Sequence, residues 1–482
     1  MAIFSDIPSA LAALFVLILA TLYGYGLGKS RYPFPPGPKG IPILGNVHQL
    51  PKEHQQRAFF EWKKTFGDLI YVRLFRTSAI IVNSVHIARD LMEKQSANYS
   101  DRPPFILIKE LMGFEGVLPF MSYGARFRKM RKWFHAAFQP QELVKYRSFQ
   151  VQETYVVLDG LINHPDDFTH HFMRFGGAVL MEVTYAHRVR SNDDPYMRAA
   201  HEALNGLDIA GSAGGALVDF FPILKYYPSW MPGGMFKKHA QRVYDFSQLV
   251  FDAPYNMVKE KMESGTGRTC FTSNIIEEHL QSGTISKEDE VDIKGAAATF
   301  YAAGVETLVA FLSTLILAMV LYPEVFKKAQ AEVDRVVGLD RLPDFHDRDS
   351  LPYLNSVIKE IYRAMARNEE YYPDPDEFLP ERYMDNAANQ DLIDPKNITF
   401  GFGRRLCPGR DFADASVYLL TANIIATMDI SKARDSEGRE ITPLLDVVSG
   451  IVSSPKPFKC SIKPRSQRAI DLVRQVDLEL ED

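Results

Sequence analysis

Apolar and polar positions along this chain follow several distinct rhythms. Residues 7–28 carry no charge and are almost continuously apolar from Leu11 to Leu22, close to the roughly 20 residues that a membrane-spanning helix needs. Strand-like runs follow at 69–74 and 79–82, and a late extended stretch, 457–463, alternates Phe458, Cys460 and Ile462. Helical periodicity covers 51–66, 84–94, 125–138, 143–161, 237–264, 287–321, 323–337, 351–366 and 410–428. The pattern predicts a mostly α chain with a small β portion, an α+β fold. The segment 217–234 reads as an apolar, aromatic loop between helices, suited to a core, a lipid or a substrate contact.

One helical run needs a decision. Gly295 to Tyr322 contains no Lys, Arg or Asp, and Glu306 sits in its middle. An acid at the centre of a bilayer costs roughly 2.5–3.5 kcal/mol on insertion scales. A central buried helix of a large domain explains the apolar run and the single acid together, and Pro323 ends it.

The N-terminus reads as an anchor. A cleaved signal peptide fits poorly, because the leading residues carry Asp6 and no Lys or Arg. Positive charge appears only at Lys29, Arg31 and Lys39, which puts that side in the cytosol. Pro33, Pro35, Pro36, Gly37, Pro38, Gly40, Pro42 and Gly45 then form a stretch that cannot be helical, a stiff extended spacer. The expected organisation is a lumenal N-terminus at 1–6, a transmembrane anchor at 7–28, a hinge at 29–46 and one catalytic domain over 47–482.

Composition adds exclusions. With 482 residues, 46% of them hydrophobic and 24% charged, the chain is of ordinary globular make-up. A net charge of −5 argues against bulk electrostatic binding of nucleic acid. Three cysteines over this length give no disulfide framework. Cys270 and Cys460 read as ordinary small residues, whereas Cys407 lies in FGFGRRLCPG (400–409), at the mouth of the helix 410–428. Helix-terminal N–H groups and nearby arginines favour a thiolate, the form that ligates metal. With no second Cys or His nearby, zinc and iron–sulfur clusters are undersupplied. A haem needs only one axial thiolate from the protein.

These residues resemble the cytochrome P450 haem-binding pattern F-x-x-G-x-R-x-C-x-G, met at Phe400, Gly403, Arg405, Cys407 and Gly409. Ala303-Gly304-Val305-Glu306-Thr307 is similar to the family's oxygen-activating helix motif, with Glu for the commoner Asp. Glu360-Ile361-Tyr362-Arg363 is similar to its E-x-x-R, and Pro380-Glu381-Arg382-Tyr383 to its P-E-R-F. The Pro-rich hinge and the tail PFKCSIKPRS (457–466) look like those of membrane-anchored fungal members.

The resemblance implies a cytochrome P450 fold and haem b, with Cys407 as axial thiolate to the iron. It implies that Arg405 and Arg131 hold haem propionates, that Glu306 and Thr307 relay protons during oxygen activation, and that Glu360, Arg363 and Arg382 form a structural ion-paired triad. It also implies a monooxygenase of the endoplasmic reticulum membrane, single-pass with a cytosolic domain. Such an enzyme inserts one oxygen atom of O₂ into a lipophilic molecule: a terpenoid, a polyketide or an aromatic xenobiotic. Electrons would come from NADPH through cytochrome P450 reductase, with cytochrome b5 a second donor. Arg126, Arg128, Lys129 and Lys132 on the helix 125–138 resemble the docking surface for that acidic flavoprotein.

Two departures accompany the resemblance. Phe127 stands where the family has Trp, so no indole N–H is present to bond a propionate. After Arg363 only 364–372 precede Pro373-Asp374-Pro375-Asp376-Glu377-Phe378, where similar members carry a longer, pocket-lining stretch. The runner-up functions are therefore a shortened relative impaired in haem binding and a haem-thiolate isomerase or dehydratase that does not use O₂. The Glu306-Thr307 pair counts against the last. Sequons at Asn98 and Asn397 stay unmodified in a cytosolic domain.

Overall fold

The computed structural model describes Val16 and residues 33–51, 53–191, 193–207, 217–365, 371–384, 392–448 and 450–480, with side chains as far as 475. The expected N-terminal anchor at 7–28 lies outside these residues apart from Val16. The described chain forms two compact units, Met1–Asp90 and Leu91–Asp482.

In the first unit, helix α1 (Gln55–Phe66) precedes an antiparallel hairpin, β1 (Leu69–Leu74) with β2 (Thr77–Val82). Leu69 pairs with Val82 and Leu74 with Thr77. The Pro/Gly stretch lies extended against β1, where the Tyr71 N–H donates to the Pro36 carbonyl (2.9 Å) and Phe34 stacks on the Tyr71 ring.

The second unit is helical around one long central element. Its longer helices are α2 (Ala125–Ala137), α3 (Pro140–Asn163), α4 (Phe168–Tyr185), α5 (Pro195–Leu207), α6 (Met235–Glu263) and α7 (Phe271–Ser282). They are followed by α8 (Lys287–Leu321), α9 (Pro323–Val336), α10 (Pro352–Ala364) and α11 (Arg410–Thr427). Strand β3 (Met428–Arg434) pairs antiparallel with β4 (Glu440–Ile441) on one side and β7 (Cys460–Pro464) on the other. A small ladder joins β5 (Val447–Val448) to β6 (Ser454–Pro455), and α12 (Gln467–Leu480) follows β7.

Helix α8 begins with a capping box, in which Ser286 and Asp289 satisfy each other's backbone N–H groups. It ends at Tyr322, before Pro323. It is long and apolar enough to cross a membrane, yet 67% of its most apolar stretch is buried inside the protein. That is the core helix expected from the placement of Glu306. Its most extensive partner is α4, a helix that sequence periodicity did not predict. The reason lies in Gly176-Gly177, which read as helix breakers. In the fold they allow close approach, since a Cβ on Gly176 would sit 3.3 Å from the Val305 backbone and one on Gly177 2.8 Å from the Met197 methyl.

The segment 217–234 is mostly surface, although Val218 is buried in the core and Leu224 packs against it. Leu217, Ile223, Tyr226 and Trp230 are exposed, as is Met235 beyond it. Cys270 does more than fill space: its Sγ accepts from the Ser273 N–H (3.4 Å) and caps α7.

Candidate active site

The loop that leads into α11 is tightly wound. Cys407 N–H donates to the Phe400 carbonyl (2.9 Å) and Leu406 N–H to that of Gly403 (3.1 Å). Gly403 adopts φ +56°, and a Cβ there would lie 1.8 Å from the Met92 carbonyl oxygen. No other residue fits without moving that backbone. Gly409 is the N-cap of α11, and its N–H points to the Cys407 sulfur. Burial pushes the Cys407 thiol up; the Gly409 N–H and the guanidinium groups of Arg131 and Arg410 oppose it. Cys460 has no such counterweight, and burial first, then Asp166, push it up to about 12.

Helix α8 faces this loop through two aromatic bridges. At one end Phe300 packs at a tilt against Phe138 (5.1 Å), which meets Phe412 of α11 (5.8 Å). At the other, Phe311 packs on Tyr362 of α10 (4.7 Å), which packs on Phe400 of the cysteine loop (5.5 Å). Phe300, Ala303, Gly304, Thr307 and Phe311 share one face of α8, and at 1.5 Å per residue the bridges stand about 16 Å apart. Between them the face bears small side chains. Ala303 and Thr307 are exposed there, in a helix whose surroundings are otherwise buried. Thr307 Oγ1 donates to the Ala303 carbonyl (2.8 Å). Glu306 is half-buried and turned about 100° around the helix from Thr307.

Three arginines converge beside the loop without a carboxylate each. Arg131 Nη1 donates to the Leu406 carbonyl (2.8 Å). Arg405 donates through Nε to Ser100 (2.6 Å) and through Nη2 to Met121 (2.8 Å), both backbone carbonyls, while its Nη1 is buried with no partner among the described residues. Arg102 donates to the Pro119 carbonyl (3.2 Å). Burial, then the charges of Arg102 and Arg131, pull Arg405 down to about 10 against the opposing Asp101. Burial also lowers Arg102 and Arg131. Arg102 is not among the residues expected from sequence, because nothing in its local spacing marks it. Phe127, which lacks the indole N–H, carries the Arg405 guanidinium on its ring face (4.3 Å).

The expected triad comes together. Glu360 lies 2.9 Å from Arg363 and 3.1 Å from Arg382, with all three buried. Both arginines also hold the segment 373–377: Arg363 donates to the Pro375 (2.6 Å) and Glu377 (2.9 Å) carbonyls, and Arg382 to those of Pro373 and Asp374. Leu379 N–H donates to Glu360 (2.8 Å). The basic face of α2 differs from its sequence reading. Arg126 and Lys129 are paired with the fully buried Asp292 of α8, and also with Glu115 and Asp289 respectively. Only Arg128 and Lys132 of the four remain exposed.

These features suit the haem that the resemblance implies. A thiol at a helix mouth stands ready as axial ligand. An accessible small-residue stripe leaves room for a flat group, and a buried guanidinium nitrogen with under-compensated arginines suits two carboxylates. Bound there, a haem supplies oxygen activation and one-electron chemistry.

The comparisons agree. The family model Cytochrome P450 matches residues 35–364 and 363–462. Cytochrome P450 monooxygenases 136 and 176 of Postia placenta are each 40% identical to the chain, over 98% of its length and 96% and 97% of theirs. Cytochrome P450 monooxygenase claR of Ampulloclitocybe clavipes is 37% identical, over 96% of this chain and 92% of its own. The alignment with monooxygenase 136 runs over 509 positions, more than the 482 residues available, so gaps fall within this chain. With matches of this extent on top of the geometry of the cysteine loop, the chain belongs to the cytochrome P450 family of haem-thiolate monooxygenases.

Proposed function

We propose that the chain is a membrane-bound monooxygenase of a lipophilic secondary metabolite, a terpenoid or polyketide, or of an aromatic xenobiotic. Electrons reach it from NADPH through an acidic flavoprotein reductase. The observation that carries this reading is the setting of Cys407: a half-buried thiol under a Gly409 N–H, beside Arg131, opposite an accessible face of α8. In it Cys407 is the axial ligand, and Arg405, Arg131 and Arg102 grip the carboxylates of the cofactor. Thr307 and Glu306 hold and pass protons on the substrate side. Glu360, Arg363 and Arg382 keep the loop's framework in place.

Apolar side chains support the substrate class. Phe114, Val117, Leu204 and Phe251 pack around a small, almost wholly apolar void against α8. The exposed apolar residues of 217–235 support contact with a lipid surface, as does the apolar run at 7–28. Endoplasmic reticulum is the location this favours, with the sequons at Asn98 and Asn397 unmodified.

We also read the connection after Arg363 as shortened. The family model meets this chain in two pieces that join at 363–364, and the curated relatives align with gaps in it. The test is binding of apolar candidates to the haem-loaded protein, followed by their oxidation with NADPH and reductase. Thr307→Ala is expected to keep substrate affinity and lose most product formation. Equal product from both forms contradicts the assigned role.

A further inference from the structure

The two edges of the β1–β2 hairpin differ. Along β1 the outward backbone groups are engaged. Tyr71 N–H donates to the Pro36 carbonyl (2.9 Å), Arg73 N–H to the Asn46 side-chain oxygen (2.8 Å), and the Arg73 carbonyl accepts from Asn46 N–H (2.6 Å). Along β2, Thr77, Ala79 and Ile81 stand opposite Leu74, Val72 and Ile70. Asn83 N–H donates to the Asp68 carbonyl (2.8 Å), which sets the parity of the ladder. The N–H and C=O groups of Ser78, Ile80 and Val82 therefore point away from β1. None of these backbone groups has a hydrogen-bond partner among the described residues.

A strand that ends a sheet is usually blunted by charge, proline, a bulge or short length. The other described sheets follow this rule. Glu440 of β4 pairs with Lys432 (3.5 Å), β7 ends in Lys463-Pro464, and β5 and β6 have 2 residues each. Strand β2 follows none of it. Its 6 residues, TSAIIV, include no charge, proline or glycine, and its register with β1 is unbroken. No residue of it is buried, and Ile80 is 45% exposed. Segments of this composition readily add a further strand.

The strand is also complementary to itself. Laid antiparallel on a second copy with Ile80 opposite Ile80, it sets Ser78 against Val82 and Ala79 against Ile81. Each outward N–H then meets an outward carbonyl. No like charges oppose each other, because Arg76 falls opposite Ser84. Tyr71 stands opposite Ile80 within the hairpin, and Phe34 stacks on Tyr71. Pairing two hairpins thus continues one apolar row across both copies, and four strands are more stable than two.

We propose that the outer edge of β2 is a pairing site for β2 of a second copy of this chain, giving a two-fold symmetric, four-stranded sheet. An edge of 6 residues buries less than a standard stable interface, so this dimer is weak and reversible.

The test follows association of the full haem-loaded chain in detergent micelles by sedimentation. The parent is expected to pass from monomer to dimer with a Kd of about 10 µM. Ile80→Lys and Ile80→Glu each set like charges opposite one another and are expected to raise the Kd at least about tenfold. An equimolar mixture of the two is expected to dimerise within about threefold of the parent, since unlike charges then meet. Ser78→Pro removes an outward N–H without touching the ladder to β1, and is expected to weaken the dimer likewise. The carbon-monoxide spectrum of each variant should match the parent. A parent that stays monomeric up to about tenfold above that Kd overturns the proposal. So does a dimer that the Ile80 variants and Ser78→Pro leave unchanged, which places the contact on another face. A mixture no better than its components also overturns it, since Ile80 then does not meet its own copy. Loss of the spectrum in all three variants overturns it too, by making this edge part of the chain's own fold.

Discussion

Two buried carboxylates organise the second unit, and they do so under different conditions. Glu360 meets Arg363 and Arg382 in a dry setting where all three side chains are almost wholly inside. Asp292 is just as buried, yet Arg126 and Lys129, which clasp it, keep 28% and 34% of their side chains in solvent. The first network has no water to fall back on and also anchors the backbone carbonyls of Pro373, Asp374, Pro375 and Glu377. The second can let its cations turn outwards. The same chemistry therefore supports the cysteine loop rigidly from the α10 side and adjustably from the α2 side, where Arg131 rides on the clasped helix.

The contrast can be broken at each end. Glu360→Gln leaves two buried guanidinium groups uncompensated, and thermal or denaturant unfolding should show a loss of about 3–5 kcal/mol. Asp292→Asn should cost less, about 1–3 kcal/mol, because its partners reach water. Equal losses from the two would erase the distinction. A pH series sharpens it further. Asp289 is held down to about 2, first by the Ser286 hydroxyl and then by Lys129. A carboxyl lowered from 3.8 in the folded state stabilises the fold above that value, and its contribution is lost as pH falls through the folded value. Acid titration of the parent should lose stability between about pH 4 and 2, and Asp289→Asn should lose less in that window. The smallest effect belongs to Arg128→Ala, an exposed residue of the same helix turned away from Asp292, with a change within about 0.5 kcal/mol.

These two networks also show what can be read from a sequence. Glu360, Arg363 and Arg382 lie in two short motifs, so resemblance to the family's E-x-x-R and P-E-R-F supplies all three. Arg126 and Asp292 are 166 positions apart; nothing local joins them, and a run of cations on a helix looks like a solvated or docking face. The cysteine loop was legible in detail because its chemistry is packed into ten consecutive residues. Arg102 was not, since its role depends on meeting Arg405 through folding. Among the elements, α8 was readable to the residue from its helical periodicity, its apolar run and Pro323. Helix α4 was hidden by paired glycines whose purpose, close packing on Val305, exists only in three dimensions. Strand β3 was hidden because it continues directly from α11 without a break in pattern.

The central claim is that this chain presents Cys407 to a haem iron. The most direct test is the absorption spectrum of the reduced, carbon-monoxide-bound protein, made as the 482-residue chain, beside Cys407→Ala and Cys460→Ala. The expected result is a red-shifted Soret band of thiolate ligation in the parent and in Cys460→Ala, and its loss in Cys407→Ala. A parent without bound haem, or with an unshifted band, would contradict the claim.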